Sequence, residues 1–243
     1  LEWRRELVES IISYRSWFSG QDLNDAQIDQ RIESLLVRLR EDKLNVAFIA
    51  EFSRGKSELI NAIFFAGYGQ RLLPSSAGRT TMCPTELLYD SSKSHSLQLL
   101  PMDTRAFGAT ATEYKRYLDE WKVIEFDVNS NESMEKAFKH VSQTKRATLQ
   151  EAEKYEFFDP NNSDDALNIG KDGLIDIACW RYAVINLPHP LLEQGLVIFD
   201  TPGLNSTGTE PELTLNMLPN AQAVLFVLAA DTGVTKSEAD VWR

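Results

Sequence analysis

The spacing of apolar residues divides the chain into two kinds of text. Over residues 1–18, Trp3, Leu7, Ile11, Tyr14 and Phe18 recur three or four positions apart. That places them on one stripe of a helix whose other faces are charged. Ser19-Gly20 breaks the pattern, and a second helix is predicted from near Asp25, with Ile28, Ile32, Leu35, Leu36 and Leu39 on one face. Two uses are open to these helices: packing on the domain that follows, or contributing to a stalk completed by chain outside residues 1–243.

From residue 44 the period changes. Residues 45–50, Asn-Val-Ala-Phe-Ile-Ala, form an apolar run suited to a central parallel strand covered on both faces. Residues 59–65 read as a helix. Residues 96–100 and 182–186 are strand candidates, while 196–199 and 223–228 are stronger ones, apolar on both faces. Such alternation of strands and helices predicts an α/β fold with a doubly wound, mostly parallel sheet. Between Met102 and Ile177 charged residues dominate, with helical stretches near 112–121 and 132–141 and loop-like text at 129–131 and 159–165. The predicted organisation is therefore N-terminal helices over 1–43 and an α/β domain over 44–243, carrying a partly helical insertion at about 102–177.

Composition narrows the class. The 43% hydrophobic and 10% aromatic content suits a globular chain with a sizeable core. A net charge of -11 argues against nucleic acid as a partner, because such binders need basic surface to displace counterions. It also makes this stretch, taken alone, a poor match to an anionic bilayer. Cys83 and Cys179 form neither a disulfide framework nor a metal-ligand spacing. His95, His140 and His189 have no Cys or His neighbours at ligand spacing. No run is long enough to span a bilayer and the first residues do not resemble a secretory signal, so a cytoplasmic location is expected. Trp121, Trp180 and Trp242 are expected in cores or interfaces.

The chemistry concentrates in Ala50-Glu51-Phe52-Ser53-Arg54-Gly55-Lys56-Ser57. It fits the G-x-x-x-x-G-K-[ST] phosphate loop, except that Ala50 stands where the first Gly belongs. A loop running from strand into helix aims successive backbone N–H groups at phosphate oxygens, and the helix N-terminus adds a positive dipole end. Lys56 supplies charge to the β/γ oxygens, and the Ser57 hydroxyl suits Mg²⁺. All eight residues, with Glu58 at the helix start, are candidate nucleotide-binding positions. Replacing Lys56 with Ala is expected to abolish triphosphate binding and leave the fold intact. A second motif, Leu196-Val-Ile-Phe-Asp200-Thr-Pro-Gly203, ends an apolar strand with an acid suited to Mg²⁺ and a Gly whose N–H suits the γ-phosphate. Between them, residues 72–85 are small and polar, as befits a loop ordered by triphosphate, in which a Thr would reach the metal.

These three segments together resemble the dynamin superfamily, in particular its bacterial dynamin-like members, over about 44–231; the insertion matches no motif. The resemblance implies a GTPase that takes GTP, GDP and Mg²⁺. It aligns Thr81 with the switch threonine, with Thr80 as competitor, and Ser53 with a residue that stabilises charge in the transition state, Arg54 being the alternative. Metal contacts would then come from Ser57, Thr81 and Asp200. Leu204 stands where small Ras-like GTPases keep a water-orienting Gln, and dynamin-like proteins gain activity when two nucleotide domains face each other. A nucleotide-dependent homodimer or oligomer follows, as does a lipid membrane contacted through regions outside this chain, peripherally. The base remains open. Thr235-Lys236-Ser237-Glu238 is the nearest string to a guanine-reading motif, but it sits at a helix start and ends in Glu, and is read as a decoy. An ATPase on the same scaffold, or a weakly catalytic nucleotide-binding interaction module, is the alternative. The 223–228 strand, read as buried, would have an uncovered edge, which suggests a fragment or exchange with a partner.

Overall fold

A computed structural model describes residues 2–20, 26–40, 43–51, 54–68, 73, 83–161, 169–204, 217–230, 233–235 and 238–239. It divides into two units, Leu1–Lys43 and Leu44–Arg243. In the first, α1 (Glu2–Ser19) and α2 (Ala26–Arg40) are joined by Arg15, which donates to Asp29 at 2.7 Å and Glu33 at 2.6 Å. The least exposed face of α1 carries Arg4, Val8, Ile11, Arg15 and Phe18, whereas Trp3, Leu7 and Tyr14 are exposed. The covered face is thus turned by roughly 60° from the expected stripe, given 3.6 residues per turn. Arg15 and its two acidic partners on α2 draw that face in.

The second unit is built on a seven-stranded sheet. Its strands are β1 (Leu44–Ile49), β2 (Thr85–Leu88), β3 (Ser96–Pro101), β4 (Lys122–Glu125), β7 (Trp180–Asn186), β8 (Leu196–Asp200) and β9 (Ala223–Phe226), in the order β4-β3-β7-β2-β8-β1-β9. A separate antiparallel pair is formed by β5 (Thr144–Ala147) and β6 (Ile175–Ala178). Helices are α3 (Lys56–Phe64), α4 (Ala111–Tyr114), α5 (Asn131–Phe138), α6 (Leu149–Lys154) and α7 (Pro190–Glu193). This is the α/β class predicted from the alternation of elements. The pairings β1–β8, β1–β9 and β2–β7 are parallel; β2–β8, β3–β7 and β3–β4 are antiparallel. The parallel trio β8-β1-β9 carries the candidate motifs.

The unbroken apolar run of β1 is explained by its place inside the sheet. Val46 and Phe48 join one core with Ile198, Leu87 and Ile185, over which Ile60 and Phe64 of α3 and Met134 and Phe138 of α5 pack. Ala47 and Ile49 point the other way, into a core with Val197, Phe199 and Leu204. The strand expected at 223–228 behaves differently. β9 stops at Phe226, and Val224 and Leu225 are 40% and 49% exposed. It pairs with β1 alone among the described residues, so it lies at the sheet edge and is not buried on both faces.

The region 102–177 is only partly an excursion from the sheet. β4 pairs with β3 and extends the main sheet, and α5 lies in its core. A satellite core of Met102, Ala147, Ala152, Tyr155, Phe157, Ile175 and Ile177 lies beneath β5, β6 and α6. Its helices start on polar caps: Thr110 and Glu113 form a reciprocal capping box on α4, and Ser130 and Thr148 cap α5 and α6. No described helix is long and apolar enough to cross a membrane.

Candidate functional site

The site grows from three neighbouring strand ends. β1 and β8 run in register, Phe48 opposite Asp200, so the segments that leave them emerge side by side. Thr201, fully buried, donates its hydroxyl to the Phe48 carbonyl at 2.6 Å. The Leu204 N–H donates to the Ala50 carbonyl at 2.9 Å, and Glu51 and Leu204 form a further parallel bridge. Two sequence motifs 150 residues apart are thereby laced into one surface by main-chain and hydroxyl bonds.

Gly55 makes the turn into α3 with φ 79° and ψ 16°, the left-handed region that glycine enters without penalty. A Cβ there would meet nothing within 4 Å among the described residues, so the requirement is conformational. Directly after it, Lys56 turns inward. Its ammonium is ion-paired with the Asp200 carboxylate, and the two side chains are 6% and 3% exposed. Ser57 and Glu58 follow in the first turn of α3, both half-buried. Gly203 is half-buried in the turn after Asp200. Phe52, Ser53, Thr80 and Thr81 lie outside the described residues.

Arg54 and Glu51 pair at 2.9 Å within the loop, and Glu51 also accepts the Thr235 hydroxyl at 2.5 Å. Thr235 and Glu238 bond reciprocally: the Thr235 N–H donates to Glu238 Oε2 at 2.9 Å and the Glu238 N–H to Thr235 Oγ1 at 3.3 Å. That is the capping box of a starting helix, which gives these residues a task other than reading a base. Leu204 is buried among Ile49, Val197 and Phe199.

Three contributors escaped the sequence reading. Thr201 is one; its only signal was its place in Asp-Thr-Pro-Gly. Asn61 is another: its buried amide donates to the Leu73 carbonyl at 3.0 Å and accepts from the Leu73 N–H at 2.9 Å. A polar residue inside the apolar helix Leu-Ile-Asn-Ala-Ile was the available hint. The Thr235-x-x-Glu238 cap, a recognisable pattern, is the third.

Whether this set suits a magnesium triphosphate can be judged from its donors. Mg²⁺ retains waters and takes one or two protein oxygens plus substrate phosphates. One carboxylate, Asp200, beside one hydroxyl, Ser57, is a set of that kind, and among the described residues no group of three or more His, Cys, Asp or Glu forms a metal cage. The left-handed turn at Gly55 suits a polyphosphate, which Lys56 would reach on leaving Asp200.

The sequence profile of the dynamin family matches residues 46–242. The chain belongs to the dynamin family. A bacterial dynamin-like protein of Nostoc punctiforme is 25% identical to it over 214 residues, which is 87% of this chain and 24% of that protein. The isoniazid-induced protein IniA of Mycobacterium tuberculosis is 43% identical over 60 residues, 24% of this chain and 9% of its own. The dynamin-family chain thus spans about a quarter, or less, of the length of these relatives. Two solved structures of an oligomerised bacterial dynamin pair cover 98% of it and 35% and 36% of their own chains, with TM-scores of 0.42 and 0.45 and identities of 16% and 18%.

Proposed function

We propose that this domain binds GTP with Mg²⁺ and hydrolyses it to GDP and phosphate, and that in its full-length form the protein couples hydrolysis to self-association and to remodelling of a membrane. The observation that carries the reading is the meeting of Lys56 and Asp200 at adjoining strand ends, above the left-handed turn at Gly55.

In this scheme the main-chain N–H groups from Gly55 into α3 cradle the phosphates, and Lys56 addresses the β/γ oxygens. Mg²⁺, held by Ser57, Asp200 and Thr81, would neutralise charge on those oxygens. The Gly203 N–H donates to a γ-phosphate oxygen. Ser53 or Arg54 stabilises charge that develops as water attacks phosphorus and the β–γ bridge oxygen leaves; a group of this kind contributes ~10³-fold or more in rate. Thr81 and Ser53 take these roles from the family resemblance. Leu204 is committed to the core and cannot hold the attacking water, which supports completion of the site by a second nucleotide domain. The protein acts in the cytoplasm, peripherally at a membrane reached by other parts of the chain.

Adenine is the competing base, because Thr235 and Glu238 are engaged in capping and the described residues hold no base reader in their place. Titration with labelled GTP and ATP decides between them: GTP is expected to bind more tightly, and a preference for ATP rejects the GTPase reading. Hydrolysis per molecule is expected to rise with protein concentration; flat specific activity across a wide dilution series contradicts activation by pairing.

A further inference from the structure

We propose that Glu51 is a positioning residue for Arg54, and that the capped turn beyond β9, through Thr235, acts on the nucleotide reaction by way of Glu51. The proposal rests on the nucleotide-binding reading above and adds to it a second segment of chain that controls the loop.

A carboxylate within a loop meant for a polyanion is an electrostatic conflict unless it is neutralised and put to use. Glu51 is both. One carboxylate oxygen accepts from Arg54 Nη2 and the other from the Thr235 hydroxyl. The Thr235 hydroxyl has a single proton to give, and its lone pair already takes the Glu238 N–H. Its proton is thereby committed to Glu51. Glu238, 1% exposed, in turn accepts the Thr235 N–H, so the hydroxyl is fixed by a buried anchor and not by a free rotor. The Thr235 bond, then Arg54, hold the Glu51 carboxyl below the ordinary carboxylate range against partial desolvation. Glu51 is an anion in this setting.

Arg54 shows the other side of the arrangement. Its guanidinium carries five donors, and while Nη2 is bound to Glu51, the buried Nε has no partner among the described residues. A buried donor left unmade is costly. The acceptor that the proposed function brings to this loop is a phosphate oxygen. Glu51 thus holds the guanidinium by one corner and leaves donors for the triphosphate, while Thr235, anchored on Glu238, sets where that corner lies.

The test uses the full-length protein, with labelled GTP for affinity and single-turnover hydrolysis of GTP with Mg²⁺ for rate. Glu51→Ala and Thr235→Val are each expected to slow the single-turnover rate by about 10- to 100-fold, the upper end being the loss that a 1 Å misplacement of a reacting group can cause, with nucleotide affinity little changed. Thr235→Ser, which keeps the hydroxyl, should restore the rate. In an Arg54→Ala background, Glu51→Ala should cost nothing further, since interacting residues are non-additive. Thermal melts accompany each variant, and Thr235→Ser keeps the test decisive should Thr235→Val fold poorly. Parental rates in both Glu51→Ala and Thr235→Val, losses that add to that of Arg54→Ala, or tighter GTP binding at an unaltered rate would each overturn the proposal. Failure of the unsubstituted protein to bind GTP at all sinks the nucleotide reading itself; binding by that protein with a silent Glu51→Ala sinks only the role given to Glu51.

Discussion

Replacing Lys56 with Ala should damage the protein in two separable ways. The expectation from the motif alone, lost binding with an intact fold, treats Lys56 as a residue that only meets ligand. The structure gives it a buried ion pair: Lys56 and Asp200 are 6% and 3% exposed and contact each other directly. Removing one member of such a pair strands the other charge in low dielectric, which costs about 3–5 kcal/mol, whereas replacing both by neutral groups of similar volume is often near neutral. For a chain of 243 residues each kcal/mol moves the melting temperature by about 2–4 °C, so Lys56→Ala should melt roughly 10 °C below the parent without nucleotide. Lys56→Met with Asp200→Asn keeps the volume and removes both charges; it should recover most of that loss while GTP binding stays absent. The assay is calorimetry of the three proteins, paired with titration of labelled GTP. A Lys56→Ala variant melting within about 2 °C of the parent, or a double variant no more stable than the single one, would refute the reasoning.

Three other perturbations test neighbouring parts of the structure. Asn61→Ala leaves the Leu73 N–H and C=O without their side-chain partner and should cost about 3 kcal/mol, read as a lower urea midpoint at unchanged slope. Gly55→Ala meets no atom within 4 Å but must hold a left-handed backbone, so it should lose about 1–2 kcal/mol of stability and weaken GTP binding, with calorimetry and titration as the measures. His189 caps α7 by accepting the Leu191 N–H on Nδ1, which requires a neutral ring, and burial lowers its pKa below 6.5. The unfolded chain then takes up the proton first as pH falls, so this stability is complete above pH 6.5 and is lost as pH drops through the lowered folded value. His189→Asn, which keeps a capping acceptor, should flatten that limb of a plot of melting temperature against pH; an unchanged slope contradicts it.

Much of the site was legible because its scaffold is apolar and its punctuation is rare. β1 and β8 are buried on both faces, so they stood out as unbroken runs, and Gly55 and Gly203 marked the turns at their ends. β2 was missed because Thr85-Glu86-Leu87-Leu88 carries a charge at its centre, which the fold satisfies with Lys115 at 2.5 Å and Tyr182 at 3.2 Å. The polar ties could not be read for a related reason. Asn61 meets backbone 12 residues away, Thr201 153 away, and Glu51 meets Thr235 across 184. A hydroxyl or amide shows nothing of its partner until the chain has closed. β9 misled in the opposite direction: an apolar run predicts burial, and its place at the edge of the sheet left three of its four residues exposed.

The separation of 144 residues between Lys56 and Asp200 also governs how the protein is made. β1 and the candidate phosphate loop leave the ribosome well before the strands on both sides of β1, which are β8 and β9. At about 5–20 residues per second, β1 waits on the order of 7–30 s with neither neighbour, presenting a sticky apolar ribbon to solvent. Nascent chains that end before β8 should therefore engage holdase chaperones and ignore nucleotide, with affinity arriving abruptly once β8 docks.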